Sequence, residues 1–211
     1  MRLGVGAALV DGALVPGDVR IAGDGTIAEV GVGSSDSGGV SSHVAVAGLV
    51  DLQVNGFAGI DFRHADPDDY LVAGAALGAH GATAVQPTLY GMSIDGYLAA
   101  LDVLSEVDAS RSAGPVPSGC RFLRAHLEGP FLNPLFKGAH DDRTFVAPSL
   151  AVADRLIDTG CVGFMTVAPE LPDGIELVRH LSNCGVVVSI GHSDADTEQT
   201  VAAIESGARH L

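Results

Sequence analysis

The sequence predicts an α/β protein: a parallel β/α barrel carried to about its sixth strand, with a small β element in front of it. Three observations lead there. From residue 46 onward, apolar strand-like runs alternate with helical stretches in units of about 30 to 40 residues, the mark of parallel strands joined by crossover helices. Those strands put polar side chains on one face and apolar ones on the other, which suits a barrel; a doubly wound sheet, covered by helices on both faces, reads more uniformly apolar. Ionisable residues end several of the strands, where the chemistry of a barrel collects.

The first 45 residues have a different character. Residues 18–22 and 25–31 read as two short strands turned at Gly23-Asp24-Gly25, because Asp-Gly between alternating apolar residues is a hairpin signal. Residues 31–42, rich in Gly and Ser, read as a loop.

The remaining elements follow in order. Strands are expected at 46–55, 83–89, 122–128, 162–168 and 186–191, and a sixth begins at Ala208. Asp66-Pro67 opens a helix over 68–79, and Ser93 caps one running to about residue 107. Pro148 opens a helix that Gly160 ends, Asp173 opens one that Gly185 ends, and Gly207 stops the helix at 197–206. In the third strand Arg124, His126 and Glu128 share one face, and in the first strand Asp51, Gln53 and Asn55 share one.

Composition narrows the function classes. With 11 basic and 26 acidic residues the 211-residue chain carries a formal charge of −15, which argues against nucleic acid or an anionic membrane surface as partner. Hydrophobic residues make up 47%, enough for a sizeable core. No run approaches the ~18 apolar residues of a membrane span. The start has a single Arg and is soon interrupted by Asp11, so no signal peptide is expected. Cys120, Cys161 and Cys184 are odd in number and widely spaced, which reads as reduced thiols in a cytoplasmic protein.

The chemistry gathers at strand ends followed by glycine. Glu128, His192 and His210 end the third, fifth and sixth strands and would converge on the mouth of a barrel. One carboxylate and two imidazoles suit Zn²⁺ or another divalent ion with a position left open for water. His126, on the interior face, is expected to hydrogen-bond rather than ligate. His43, His64, His80 and His180 are expected at the surface, and Glu170 is expected to be structural.

These segments together resemble a known family. Gly48-Leu-Val-Asp51-Leu-Gln53-Val-Asn55-Gly56 resembles the first-strand motif of N-acetylglucosamine-6-phosphate deacetylases, in the amidohydrolase superfamily. His126-Leu-Glu-Gly-Pro-Phe-Leu-Asn133 with Lys137-Gly-Ala-His140 is similar to that family's most distinctive stretch. Val167-Ala-Pro-Glu170, Ser189-Ile-Gly-His-Ser193 and Ala208-Arg-His210 are similar to its next strand ends, with Arg209 where Thr is usual.

The resemblance implies a metal-dependent hydrolase (β/α)8 TIM-type barrel, truncated after about strand 6. Residues 46–211 would be the partial barrel and 1–45 the N-terminal part of a small β-sandwich domain. It implies one Zn²⁺ per subunit held by Glu128, His192 and His210, substrate contacts at Ala139 and His140, and a supporting role for Gln53 and Asn55 in place of a second-metal His pair. The activity implied is hydrolysis of the acetamide of N-acetylglucosamine 6-phosphate to glucosamine 6-phosphate and acetate, in cytoplasmic amino-sugar catabolism. The family's catalytic Asp would lie beyond residue 211, and the full-length protein would be a homodimer acting on a small amino-sugar phosphate. Two other readings stay open: an inactive half-barrel remnant that binds metal or sugar phosphate, and another amidohydrolase acting on a cyclic amide.

Overall fold

The computed structural model describes residues 1–33, 41–112 and 119–211 and divides into two compact units, Met1–Gly48 and Leu49–Leu211. Residues 34–40 of the expected Gly/Ser loop lie outside the described residues.

The first unit is built of short strands. β1 (Ala7–Val10) and β2 (Ala13–Pro16) form a hairpin turned at Asp11-Gly12, both with positive φ, and β1 also pairs in parallel with β5 (Val44–Ala45). β3 (Asp18–Ile21) and β4 (Ile27–Val32) form the hairpin expected at Asp24-Gly25. The first hairpin carries the same Asp-Gly signal, which the sequence reading passed over. Asp18, buried, ties the unit together: its carboxylate accepts from the backbone N–H groups of Gly4, Val5 and Val19.

The second unit begins with β6 (Leu49–Val54), followed by the small β7 (Gly56–Phe57) and β8 (Ile60–Asp61) pair and α1 (Pro67–Ala79). Next come β9 (Ala82–Tyr90), α2 (Ile94–Ser112), β10 (Arg121–Phe122) and β11 (Ala125–Glu128). The chain continues through α3 (Leu150–Ile157), β12 (Val162–Val167), α4 (Gly174–Asn183), β13 (Val187–Ile190) and α5 (Thr197–Glu205). Every strand pairing in the main sheet is parallel, and its order, β6-β9-β11-β12-β13, follows the chain without a reversal. A bridge between Ser189 and His210 begins the next neighbour. A doubly wound sheet reverses its strand order at a switch point, whereas a barrel adds each strand beside the last. The second unit is therefore part of a β/α barrel.

Helix ends follow the local chemistry. Asp66 and Asp69 make a reciprocal capping box ahead of Pro67, and Asp196 and Gln199 make another at α5. Ser149, not Pro148, is the cap of α3, and Asp173 begins α4 in a left-handed conformation with no side-chain cap bond.

Strand periodicity sorts the two faces. Leu127, Met165, Val167 and Val188 are fully buried against Leu101, Leu156 and Leu181 of the surrounding helices. The alternate positions His126, Glu128, Phe164, Thr166 and Ser189 face a cavity of about 430 Å³. Two strands depart from the expected regularity. The third is interrupted between Phe122 and Ala125, with a register slip at Ala125/His126. In β6 the register with β9 slips between Asp51 and Val54; Asp51, Leu52 and Gln53 all border the cavity, Leu52 with its backbone in hydrogen-bonding reach of His126.

Candidate metal centre

Glu128 stands at the end of β11, its side chain 15% exposed. One carboxylate oxygen, Oε1, lies 2.9 Å from His192 Nε2 and 3.5 Å from His140 Nε2. The other, Oε2, lies 3.5 Å from Gln53 Nε2. The two imidazoles meet edge to face, with ring centroids 4.6 Å apart. Glu128, His140 and His192 form a group whose donor atoms all lie within 4.8 Å of one another, close enough to share one ion.

The loops that deliver these groups are tightly bonded. His192 follows Gly191 just beyond β13 and holds a left-handed backbone, φ 51°. Its carbonyl accepts from Asn133 N–H at 3.0 Å, and its ring Nδ1 bonds the Phe136 carbonyl at 2.9 Å. Asn133 and Phe136 belong to the Asn133–His140 loop, which begins with a 3₁₀ turn over Pro134–Phe136. His140 at the far end of that loop is buried, edge-on to the Tyr90 ring.

Donor chemistry tests whether a cation fits. A carbonyl only accepts hydrogen bonds, so the Phe136 carbonyl takes the Nδ1–H of His192 and turns Nε2 toward Glu128. The hydrogen bond from His140, ahead of burial, which opposes it, and of His192, pulls the Glu128 carboxyl down to about 2, so at neutral pH it is an anion that only accepts. Among the described residues, His140 Nδ1 is buried with no hydrogen-bond partner. One carboxylate and two imidazoles with ligand atoms within 4.8 Å of one another make a donor set that suits a divalent cation.

The other residues named from sequence take varied positions. His210 lines the same cavity, its Nδ1 3.2 Å from Ser189 Oγ and its ring 5.3 Å from Phe164, but it is not in the close group; His140 takes that third place. Ala139 is exposed on the loop beside His140. Gln53 reaches Glu128, while Asn55 braces the strand end by donating to the Thr88 carbonyl at 3.4 Å. His126 is buried and hydrogen-bonded as expected, with Nε2 2.8 Å from Thr166 Oγ1. Burial presses its pKa down to about 4, which keeps it neutral. All three cysteines are free thiols. No described helix is long and apolar enough to cross a membrane.

Two contributions escaped the sequence reading. The Phe136 carbonyl orients His192, and no sequence signal marks a carbonyl. Glu170 accepts three hydrogen bonds from the loops around the site, a number that its place after Ala168-Pro169 does not reveal.

Comparison with known proteins bears on the same residues. No family model matches the chain. It is 36% identical over 181 residues to N-acetylglucosamine-6-phosphate deacetylase of Danio rerio, a match covering 81% of this chain and 42% of that protein. It is 37% identical over 179 residues to the Bos taurus enzyme of the same name, covering 80% and 41%. Among solved structures, N-acetyl-D-glucosamine-6-phosphate deacetylase from Mycobacterium smegmatis superposes with a TM-score of 0.80 at 30% identity, over 97% of this chain and 53% of that one. The chain thus spans two fifths to about half the length of the relatives it matches. In sequence as in fold, the chain is a relative of the N-acetylglucosamine-6-phosphate deacetylases.

Proposed function

We propose that the 211 residues supply the metal-binding part of a deacetylase that hydrolyses the acetamide of N-acetylglucosamine 6-phosphate to glucosamine 6-phosphate and acetate. The observation that carries the proposal is the 2.9 Å approach of His192 Nε2 to the ionised Glu128, with the other ring nitrogen committed to the Phe136 carbonyl. Kinship with enzymes named for that reaction supplies the substrate.

Glu128 and His192 would hold the ion, with His140 and His210 both within the same rim to complete its shell. A divalent ion held there would supply Lewis acidity toward a carbonyl oxygen and toward water. The chain's own residues then have separate tasks. Phe136 keeps His192 in the tautomer that ligates, and Ser189 Oγ holds one nitrogen of His210, leaving Nε2 for the cavity. Gln53 steadies the second oxygen of Glu128, and His126, kept neutral by burial, braces the floor through Thr166. Ala139 and His140, on the exposed and buried sides of one loop, are the proposed substrate contacts. The general base is not assigned to a residue of this chain. Zinc as the ion, a cytoplasmic location and a homodimeric complete protein belong to the same reading and are carried by the resemblance. The β-sandwich assignment of the first unit stands on that resemblance too.

A cyclic-amide hydrolase with a lysine bridging two metals fits less well. The chain's one lysine, Lys137, pairs with Asp142 on an exposed loop, and the fourth strand presents Thr166 at the corresponding depth.

The test is acetate release from N-acetylglucosamine 6-phosphate by the complete protein that contains these 211 residues, purified and supplied with Zn²⁺ or Co²⁺, alongside Glu128→Ala and His192→Ala. Metal-dependent release abolished by either substitution supports the assignment. Activity that survives both substitutions would overturn it.

A further inference from the structure

Glu170 bonds the two loops that carry His140 and His192, although it touches neither imidazole. Its carboxylate follows β12 and accepts from Ser193 Oγ at 2.6 Å, from Asp194 N–H at 2.7 Å and from Asn133 Nδ2 at 2.8 Å. Ser193 and Asp194 directly follow His192, and Asn133 opens the loop that ends at His140. A closed circuit results. Asn133 N–H bonds the His192 carbonyl, His192 Nδ1 bonds the Phe136 carbonyl three residues past Asn133, and Glu170 joins both arms from behind.

We infer that Glu170 is a positioning residue of the metal centre, holding His192 and the Asn133–His140 loop in register with Glu128 through these three hydrogen bonds. The inference rests on reading Glu128, His140 and His192 as the ion's residues. Two features of the structure support it. His192 occupies the left-handed backbone region at φ 51°, which a side chain with a Cβ rarely adopts and which persists only where the surroundings over-determine it; the bonds to residues 193 and 194 do so. The arms also interlock with the loops' own turns. Ser193 Oγ accepts from Ala195 N–H while donating to Glu170, and Asn133 Oδ1 accepts from Leu135 N–H, so a shift at Glu170 passes into both loop backbones. Burial would raise the Glu170 carboxyl, but the bonds from Ser193, Asn133 and Asp194 outweigh it and keep the group ionised as a pure acceptor.

The experiment is a Co²⁺ titration of the purified protein, read by its visible absorption bands, with thermal unfolding of the metal-free form in parallel. Wild type, Glu170→Ala, Glu170→Gln, Glu128→Ala and His192→Ala are compared. Glu170→Ala should weaken Co²⁺ binding about tenfold or more and alter the band pattern, the scale seen when groups that orient metal ligands are removed. Glu170→Gln should restore both, since its amide oxygen accepts from Asn133 and Asp194 and its N–H can donate to Ser193 Oγ. A Glu170→Ala protein with wild-type affinity and bands, whatever its unfolding temperature, overturns the inference. So does a Glu170→Gln protein as weak as Glu170→Ala, because charge and not bonding geometry would then be at work. If Glu170→Ala does not fold, Ser193→Ala removes one arm alone, and unchanged Co²⁺ affinity there overturns the inference equally. Co²⁺ binding that is absent in wild type, or indifferent to Glu128→Ala and His192→Ala, instead overturns the metal reading on which the inference stands.

Discussion

His192 Nε2 and Glu128 Oε1 face each other at 2.9 Å, joining the loop after β13 to the end of β11. The ring's proton is committed to Nδ1 by the Phe136 carbonyl at 2.9 Å. A divalent ion held by both groups would sit in the same gap.

The first expected outcome concerns stoichiometry. Equilibrium dialysis and elemental analysis should find about one tightly held divalent ion per chain, because a single carboxylate flanked by imidazoles serves one ion. Glu128→Ala and His192→Ala should each lose it, and affinity should fall as pH is lowered. Two tight ions per chain would contradict the arrangement.

Acid should destabilise the metal-free protein through two groups acting in the same direction. Glu128 is lowered from an ordinary value near 4.5 to about 2, first by the His140 hydrogen bond, so its contribution is complete above about 4.5 and is lost as pH falls toward 2. His126 is lowered from 6.5 to about 4 by burial; the unfolded chain takes up the proton first, and stability declines between those values as pH falls. Urea midpoints of metal-free protein from pH 7 down to 3 should trace this decline, with Glu128→Gln flattening the lower part. In NMR titration the His126 ring should remain neutral down to pH 5. A His126 that titrates near 6.5 would show that its burial against Phe164 and Thr166 is not maintained.

Gly191→Ala should cost about 1–3 kcal/mol of stability, the range for overpacking a filled site. A Cβ on Gly191 would sit 2.7 Å from Thr166 Cγ2. Relief requires turning Thr166, whose hydroxyl bonds His126 Nε2 at 2.8 Å, or displacing His192 next door. Thermal unfolding should register the loss, and Co²⁺ affinity should fall with it. An unfolding temperature equal to wild type would mean that the strand ends yield more freely than their bonding implies.

Self-association should run through β6. Leu49, Val50 and Leu52 are 64%, 58% and 47% exposed, and among the described residues β6 pairs only with β9, leaving one edge with open backbone groups. Exposed apolar strand edges template association, and a lysine there blunts it. Val50→Lys should lower the light scattering and dye binding of concentrated protein while leaving its helix content unchanged. Equal scattering from wild type and variant would exclude this edge as the route.

Much of the architecture was legible because it is written in short-range patterns. The two-residue period of the strands, the Asp66-Pro67 helix start, and Gly160, Gly185 and Gly207 at helix ends act within a few residues, and the structure follows them with boundaries shifted by one to a few residues. Where a pattern needed a partner, local reading erred. β6 was expected to alternate strictly, but its register against β9 slips between Asp51 and Val54. The hairpin at Asp11-Gly12 lay within local reach, but the parallel pairing of β1 with β5 joins Ala7 to Val44, 37 residues apart, which no local window contains.

The sequence alone determined the residue types at each strand end, and the family resemblance singled out Glu128 and His192 among them, Glu128 closing an alternating strand and His192 lying two residues past another. The tertiary structure alone decided how those groups use their atoms. Glu128 and His192 are 64 residues apart, and Phe136, whose carbonyl selects the His192 tautomer, is 56 residues from it. That His140 stands nearer than His210 to Glu128, and that Glu170 grips both loops, follows from where three strand ends and their loops come to rest. Hydrogen bonds are set by distances of a few tenths of an ångström between loops far apart in sequence, and residue spacing along a chain carries no measure of that.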